Sequence, residues 1–246
     1  NVDGLGSPLI LDLDNDGVET ISQVEGVKFD VNSDGRKDNT GWVAKDDGLL
    51  VRDINKDGII NDARELFGDQ TIKADGTKAK DGFDALKDLD ANSDGVVDSN
   101  DEAFKDLRVW IDANSDGVTQ DGELISLEEA GISKLDVTAK QTAKVDEAGN
   151  DHRLEGTYTD TDGNTKGMTD VWFTYEQNSE SVDISDLVER SGNINLTDYI
   201  QNTLHINFDE ILNIADENNE LKIRGDFDDK IKDKVILDDK ENWSSE

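Results

Sequence analysis

Apolar residues near the start of the chain occur in short runs separated by acidic stretches that contain glycine. Each run includes β-branched residues, which is typical of strands or turns rather than of helices. The runs occupy residues 9–11, 42–43, 49–51 and 59–60. The first 70 residues are therefore predicted to form short strands joined by polar loops.

The apolar spacing changes between residues 83 and 132. Hydrophobic residues there recur three or four positions apart, as in Phe83, Leu86 and Leu89, and this spacing indicates helices. We expect a helix, a loop, a short shared helix over about 104–110, a second loop and a helix over about 127–132. The predicted fold class is α+β: a compact EF-hand-like helix pair with a shared helix, packed on short strands and calcium loops.

Strand patterns return after residue 134, with turn signals at 148–150 and 161–164 that predict β-hairpins. The strands are predicted at residues 134–139, 153–159 and 168–175. In the tail we expect short helices around 184–188 and 208–215, and strands at 221–224 and 234–237.

These patterns predict three parts. Residues 1–7 are an upstream flank, and residues 8–177 form the main module. Residues 182–246 form a smaller C-terminal α/β-containing domain or the start of a further repeat.

Five acidic loops of the form D-x-[DN]-x-[DN]-G begin at Asp12, Asp30, Asp53, Asp90 and Asp112. A calcium ion takes six to eight oxygen ligands at about 2.3–2.6 Å, and the EF-hand loop supplies them at this spacing. The last two loops also have a carboxylate at the twelfth, closing position. Their predicted ligands are Asp112, Asn114, Asp116, the Val118 carbonyl, Gln120 and Glu123, and Asp90, Asn92, Asp94, the Val96 carbonyl, Asp98 and Asp101.

The Asp53 loop departs from the motif because Arg64 occupies the twelfth position. We expect Glu65, one residue later, to close this loop. Its other predicted ligands are Asp53, Asn55, Asp57, the Ile59 carbonyl and Asn61.

The first two loops have no carboxylate at the twelfth position, where Gln23 and Gly41 stand. Closure would need a carboxylate from elsewhere, such as Glu19, Asp46 or Asp47; the alternative is a solvated Asp-Gly turn. Their predicted ligands are Asp12, Asp14, Asp16 and the Val18 carbonyl, and Asp30, Asn32, Asp34, the Arg36 carbonyl and Asp38. In all, three to five calcium ions are predicted.

The charge of the chain supports cation binding. With 59 acidic and 25 basic residues, the formal charge is −34, and five calcium ions would offset about ten of those charges. Such acidity argues against nucleic acid as a partner, and no apolar run approaches the roughly 18 residues that a membrane helix needs. The chain has no cysteine and only two histidines, far apart, so disulfides and zinc are not expected.

Several separate segments resemble the calcium-dependent self-processing module of FrpC-like RTX proteins, over about residues 8–171. They are SPLILDLDNDGVET at 7–20, TGWV at 40–43, DGLLVRD at 47–53, ELFGD at 65–69 and LRVW at 107–110. The resemblance implies a segment of a large secreted bacterial toxin or adhesin, exported by a type I system and folded by external calcium. It also implies calcium-triggered cleavage of an Asp-Pro bond. In the family that the chain resembles, the Asp side chain attacks its own carbonyl and gives a cyclic anhydride, which water hydrolyses or a lysine amine captures.

The chain departs from this family at the residue before Pro8, which is Ser7 instead of Asp. A hydroxyl cannot form the anhydride, and an acyl shift by Ser7 would need a base that the sequence does not identify nearby. The predicted function is therefore a calcium-folded binding module that does not cleave itself, with calcium ions and flanking domains of the same polypeptide as partners. The alternative is a single-turnover autoproteolytic and transpeptidating module that cuts the Ser7-Pro8 bond.

Overall fold

A computed structural model describes residues 3–176 and, in the tail, the backbone of five short strands. The chain divides into two compact units, Asn1–Asn32 with Lys37–Gln177, and Ser33–Arg36 with Asn178–Glu246. Within the described residues, no helix has the length and apolar character needed to cross a membrane.

Strands dominate the first unit. One α-helix, α1 (Gly82–Lys87), and one 3₁₀ helix (Glu102–Asp106) interrupt them. The strands are β1 (Asp3–Gly6), β2 (Leu9–Leu11), β3 (Thr20–Ile21), β4 (Val27–Phe29), β5 (Asp38–Thr40), β6 (Trp42–Val43), β7 (Gly48–Arg52), β8 (Val96–Asp98), β9 (Leu107–Trp110), β10 (Leu124–Ser126), β11 (Ile132–Asp136), β12 (Lys140–Val145), β13 (Asp151–Asp160) and β14 (Thr165–Glu176).

Twelve of these strands form one curled antiparallel sheet with the main order β10-β9-β7-β2-β14-β13-β11-β8. Strands β1 and β5 also pair with β14, β12 pairs with β13, and β4 pairs with β5. The remaining two, β3 and β6, pair with each other. The long β14 thus pairs with β13 and with three strands from the first 40 residues, β1, β2 and β5.

The central strands are buried on both faces. In β2, Leu9 and Leu11 pack into one hydrophobic cluster, which we call the helix-side cluster because it includes Phe83 and Leu86 of α1. Ile10, between them, packs into a second one, the aromatic cluster, which includes Trp42, Trp110, Phe29 and Phe173. Since successive side chains of a strand point to opposite faces, burial of both faces produces continuous apolar runs.

The predicted EF-hand-like helix pair is wrong, and so is the α+β class: the described residues are mostly β, with α1 as their one α-helix. The supposed shared helix over 104–110 is a 3₁₀ turn followed by strand β9, and the region of 127–132 leads through a turn into β11. Leu107 and Val109 face one cluster and Trp110 the other. Because β9 is buried on both faces, its apolar residues follow a spacing that resembles the apolar face of a helix.

The predicted strands at 9–11, 42–43 and 49–51 are confirmed, and so are β-hairpins at both turn signals after residue 134. The first of these hairpins, however, is formed by β12, which was not predicted, whereas the strand expected at 134–139 is β11, and the run at 59–60 lies in a loop. In the second unit, β15 (Val188–Glu189), β16 (Asn193–Leu196) and β18 (Lys222–Gly225) form one small sheet, and β17 (Thr203–Ile206) pairs with β19 (Lys234–Leu237). Both predicted tail strands are thus present. The helix predicted at 208–215 lies outside the described residues, as does that at 184–188 apart from Val188, which begins β15.

Candidate calcium loops and the buried Ser7 site

All five acidic loops have the same backbone conformation. The residue at position four has a left-handed conformation with φ between 53° and 71°, and the glycine at position six has φ between 69° and 112°. Left-handed residues other than glycine are uncommon, so a fivefold repeat at one position marks a common loop type. The position-four residues are Asn15, Ser33, Lys56, Ser93 and Ser115, and the glycines are Gly17, Gly35, Gly58, Gly95 and Gly117.

This conformation turns backbone N–H groups inward onto the first aspartate. In the Asp112 loop, the N–H groups of Asp116 and Gly117 donate to the two carboxylate oxygens at 3.2 and 2.8 Å. The Asp53 and Asp90 loops repeat both bonds at their fifth and sixth positions. The first carboxylate therefore points into each of these three loops, as cation ligation requires.

A second carboxylate lies at the open side of each of these loops. Glu65 accepts the N–H groups of Ile54 and Asn61 at 2.9 and 2.8 Å, which places it where late closure of the Asp53 loop was predicted. Asp101 makes the equivalent bonds in the Asp90 loop, and Glu123 accepts the Gln120 N–H at 3.0 Å. Calcium ligation by these groups stays a prediction.

The Asp12 loop is joined by Asp47, one of the three carboxylates that the sequence left open. Asp47 is fully buried and accepts the N–H groups of Leu13 and Glu19 at 3.3 and 2.9 Å. Carboxylate oxygens of Asp12, Asp14 and Asp47 lie within 4.8 Å of one another. Asp47 thus accepts the N–H group of the second residue of its loop, as Glu65 and Asp101 do in theirs.

Burial raises the pKa of Asp47 to about 7, and it raises the pKa of Glu65 to about 7 as well. Desolvation penalises the ionised form of a carboxyl group, and nearby acidic groups add to the effect. A divalent cation beside such a carboxylate has the opposite effect, because it favours ionisation.

In the Asp30 loop, both Asp30 and Asp38 are buried, and the Asn32 side-chain amide donates to Asp38 at 3.0 Å. Asp34 and Arg36 fall in the second unit, where the Arg36 N–H donates to the Asp34 carboxylate at 3.0 Å. Ligation by this loop also stays a prediction.

The Asp112 loop connects β9 to β10, which pair with each other, so this EF-hand-type sequence forms the end of a β-hairpin. Its first carboxylate accepts the indole N–H of Trp42 at 2.8 Å in the buried interior. The Trp42 ring packs edge-on against Trp110 at 5.5 Å between centroids. The loop is therefore tied to the aromatic cluster.

Two acidic residues contact Ser7, which is 3% exposed: Asp170, which is buried, and Asp69, which is half-buried. The Ser7 hydroxyl donates to Asp170 at 2.8 Å, and the Ser7 backbone N–H donates to Asp69 at 3.0 Å. Gly68 lies so close to the Ser7 carbonyl that an added Cβ would be 1.4 Å from its oxygen. The predicted catalytic positions Ser7 and Pro8 are thus both buried, and glycine backbone packs against the bond between them.

Asp170 is fully buried, and its second carboxylate oxygen accepts the Gly82 N–H at 2.5 Å. Burial raises its pKa to about 7, and burial also raises the pKa of Asp69. The sequence identified no base near Ser7 because Asp170 is 163 positions away. The available signal was an acidic residue directly before the apolar run Val171-Trp172-Phe173.

Comparison with known proteins identifies the family of this module. The sequence matches the family model described as the SPM domain over residues 9–174. It is also 49% identical over 166 residues to the iron-regulated protein FrpA of Neisseria meningitidis serogroup C, which is 67% of this chain but only 15% of that relative. The similarity thus concerns one segment of a much longer protein. The chain belongs to the SPM domain family.

Proposed function

We propose that this chain is a calcium-binding module, folded by calcium, within a large secreted RTX-type protein that acts as a toxin or an adhesin. The observation that supports it best is the pairing, in four loops, of an inward-facing first aspartate with a second carboxylate that caps the open side. Membership of the SPM domain family and the similarity to FrpA support the RTX assignment.

Calcium would be a major part of the stability of this module. One site with free calcium about tenfold above its dissociation constant contributes on the order of 1.4 kcal/mol, so five sites contribute roughly 7 kcal/mol. Whole domains are stable by about 5–15 kcal/mol. A chain with a formal charge of −34 therefore folds fully only where calcium is plentiful, which fits an extracellular location.

A titration of the chelator-treated chain with calcium tests this proposal. Circular dichroism should change from a largely unfolded spectrum to a β-rich one, and calorimetry should give three to five bound ions. Asp101→Asn and Glu123→Gln should each remove about one ion. Asp162→Asn, in an exposed turn, is the matched control. An unchanged folded spectrum in excess chelator, or no measurable calcium binding, would contradict the proposal.

The second candidate function is processing at the Ser7-Pro8 bond, with a lysine amine as acceptor where the new end is captured. The observation that favours it is the fixed position of this bond against Gly68. Ser7 cannot supply the anhydride, so Ser7→Asp is the informative variant. In calcium it should lose its seven N-terminal residues, detected as a change in mass. If it stays whole, the similarity to processing modules is architectural.

A further inference from the structure

Covalent geometry gives the Ser7 hydroxyl two peptide carbonyls that it could attack, its own and that of Gly6. Attack on its own carbonyl closes a strained four-membered lactone, whereas attack on the Gly6 carbonyl closes a five-membered ring. Ring strain therefore favours reaction at the Gly6-Ser7 bond. The carboxylates found at Ser7 also fit this bond, because one contacts the hydroxyl and the other contacts the amide nitrogen that would leave.

We propose that Ser7 is the nucleophile of an autocatalytic N-to-O acyl shift at the Gly6-Ser7 bond, with Asp170 as the base for its hydroxyl and Asp69 as the acid for its amide nitrogen. The proposal rests on the proposed function only in that calcium maintains the folded state.

The proton and bond changes balance without an oxidant or a reductant. Ser7 Oγ bonds to the Gly6 carbonyl carbon, and its proton passes to Asp170. The bond between that carbon and the Ser7 nitrogen then breaks, and the nitrogen gains a proton from the carboxylic acid form of Asp69, giving a free amine. Water hydrolyses the resulting ester, leaving a Gly6 carboxylate and restoring the Ser7 hydroxyl. The products are residues 1–6 and 7–246.

The surroundings suit this chemistry. An isolated serine hydroxyl is a weak nucleophile and needs an adjacent base, and the Asp170 contact of 2.8 Å supplies one. A base is most effective when its pKa lies near the working pH, and burial raises the pKa of Asp170 to about 7. Asp69 and Asp81 are the charged groups that raise this pKa further.

The strand before Ser7 also holds the reacting bond in place. β1 pairs with β14, where Gly6 lies opposite Phe173, and a Cβ added at Gly6 would be 2.4 Å from a Val31 methyl group. Glycine is therefore the residue that fits at position 6, and its packing holds the Gly6-Ser7 bond in position. Burial of Ser7 slows hydrolysis of the ester by water, whereas hydroxylamine, which is equally small but a much stronger nucleophile, should trap it faster.

The test incubates the full chain in calcium, with and without hydroxylamine, and follows intact mass. The expected result is separation of residues 1–6 from residues 7–246. Hydroxylamine should raise the yield several-fold and leave a hydroxamate on Gly6. Ser7→Ala should abolish this cleavage, whereas Ser7→Cys should keep it and make it sensitive to thiols. Asp170→Asn should slow it by about 100-fold or more, while the exposed-turn control Asp162→Asn should cleave at the unmodified rate.

An intact chain under all these conditions would overturn the proposal, as would cleavage between Ser7 and Pro8, or an unchanged rate in Asp170→Asn. Circular dichroism on the same samples separates the two hypotheses. A chain that folds in calcium but stays intact refutes the acyl shift alone, whereas a chain whose folding ignores calcium refutes the proposed function. If the chain folds without calcium, cleavage of the folded chain still tests the acyl shift.

Discussion

Replacing Asp170 with Asn should flatten the pH dependence of stability below neutral pH. The pKa of this carboxyl group is 3.8 for the ordinary side chain and about 7 in the folded protein, because the group is buried. Between these values the folded state holds a proton that the unfolded state has released. The free energy of unfolding therefore falls as pH rises from about 4 to about 7, and this contribution is constant outside that window.

The shift sets the magnitude. One pKa unit corresponds to about 1.36 kcal/mol, so a shift of roughly three units corresponds to at most about 4 kcal/mol of lost stability at the top of the window. Asn removes this cost and can keep both contacts: its oxygen accepts the Gly82 N–H, and its NH₂ donates to the Ser7 hydroxyl.

The assay is denaturant unfolding of the wild-type and Asp170→Asn chains in saturating calcium at several pH values from 5 to 8. Changes in other carboxyl groups and in calcium affinity cancel in the difference between the two chains. Between pH 5 and about 7 that difference should grow in favour of Asn by up to about 2.7 kcal/mol, and above pH 7 it should level off. Asp162→Asn, in an exposed turn, should follow the wild type. Parallel curves for wild type and Asp170→Asn would refute the burial argument.

Three further substitutions test other parts of the structure. Trp42→Phe removes the indole donor to Asp112 and should cost about 2–3 kcal/mol in denaturant unfolding and weaken calcium binding; equal affinity would contradict the link. Asn150→Ala should lower the free energy of unfolding by about 2–4 kcal/mol, because this fully buried amide bonds two backbone groups that would lose their partner. A loss below about 1 kcal/mol would contradict this role of Asn150. Gly68→Ala would place a methyl group on the Ser7 carbonyl. This clash should reduce the free energy of unfolding by about 1–3 kcal/mol or more and therefore lower the melting temperature. An unchanged melting temperature would contradict that close approach.

The parts of the structure that could be predicted are those that short stretches of sequence determine. Each D-x-[DN]-x-[DN]-G segment forms the same turn, because its left-handed positions and its inward N–H bonds lie within six residues. The turns of the last two hairpins followed from turn signals at Gly149 and Gly163, both with positive φ, although β12 was not predicted. The position of Glu65 beside the Asp53 loop also depended only on spacing.

The parts that could not be predicted depend on residues far apart in the sequence. Leu107 and Trp110 belong to opposite faces of a sheet, and only the strands on either side of β9 show that both faces are covered. Asp170 reaches Ser7 because β14 pairs with β1 and β2. No spacing rule connects positions so distant.

The acidic loops differ in how far along the sequence their second carboxylate lies, and Asp47 is the most distant. Asp47 and its bonded partner Leu13 are 34 positions apart, whereas Asp101 and Ala91 are 10 apart and Glu65 and Ile54 are 11 apart. Closing the longer segment costs about 1 kcal/mol more chain entropy than closing a ten-residue one. As calcium rises, the local loops should fill first, and the Asp12 loop only after β7 has paired with β2. Occupancy of that loop would then report that the central sheet is assembled.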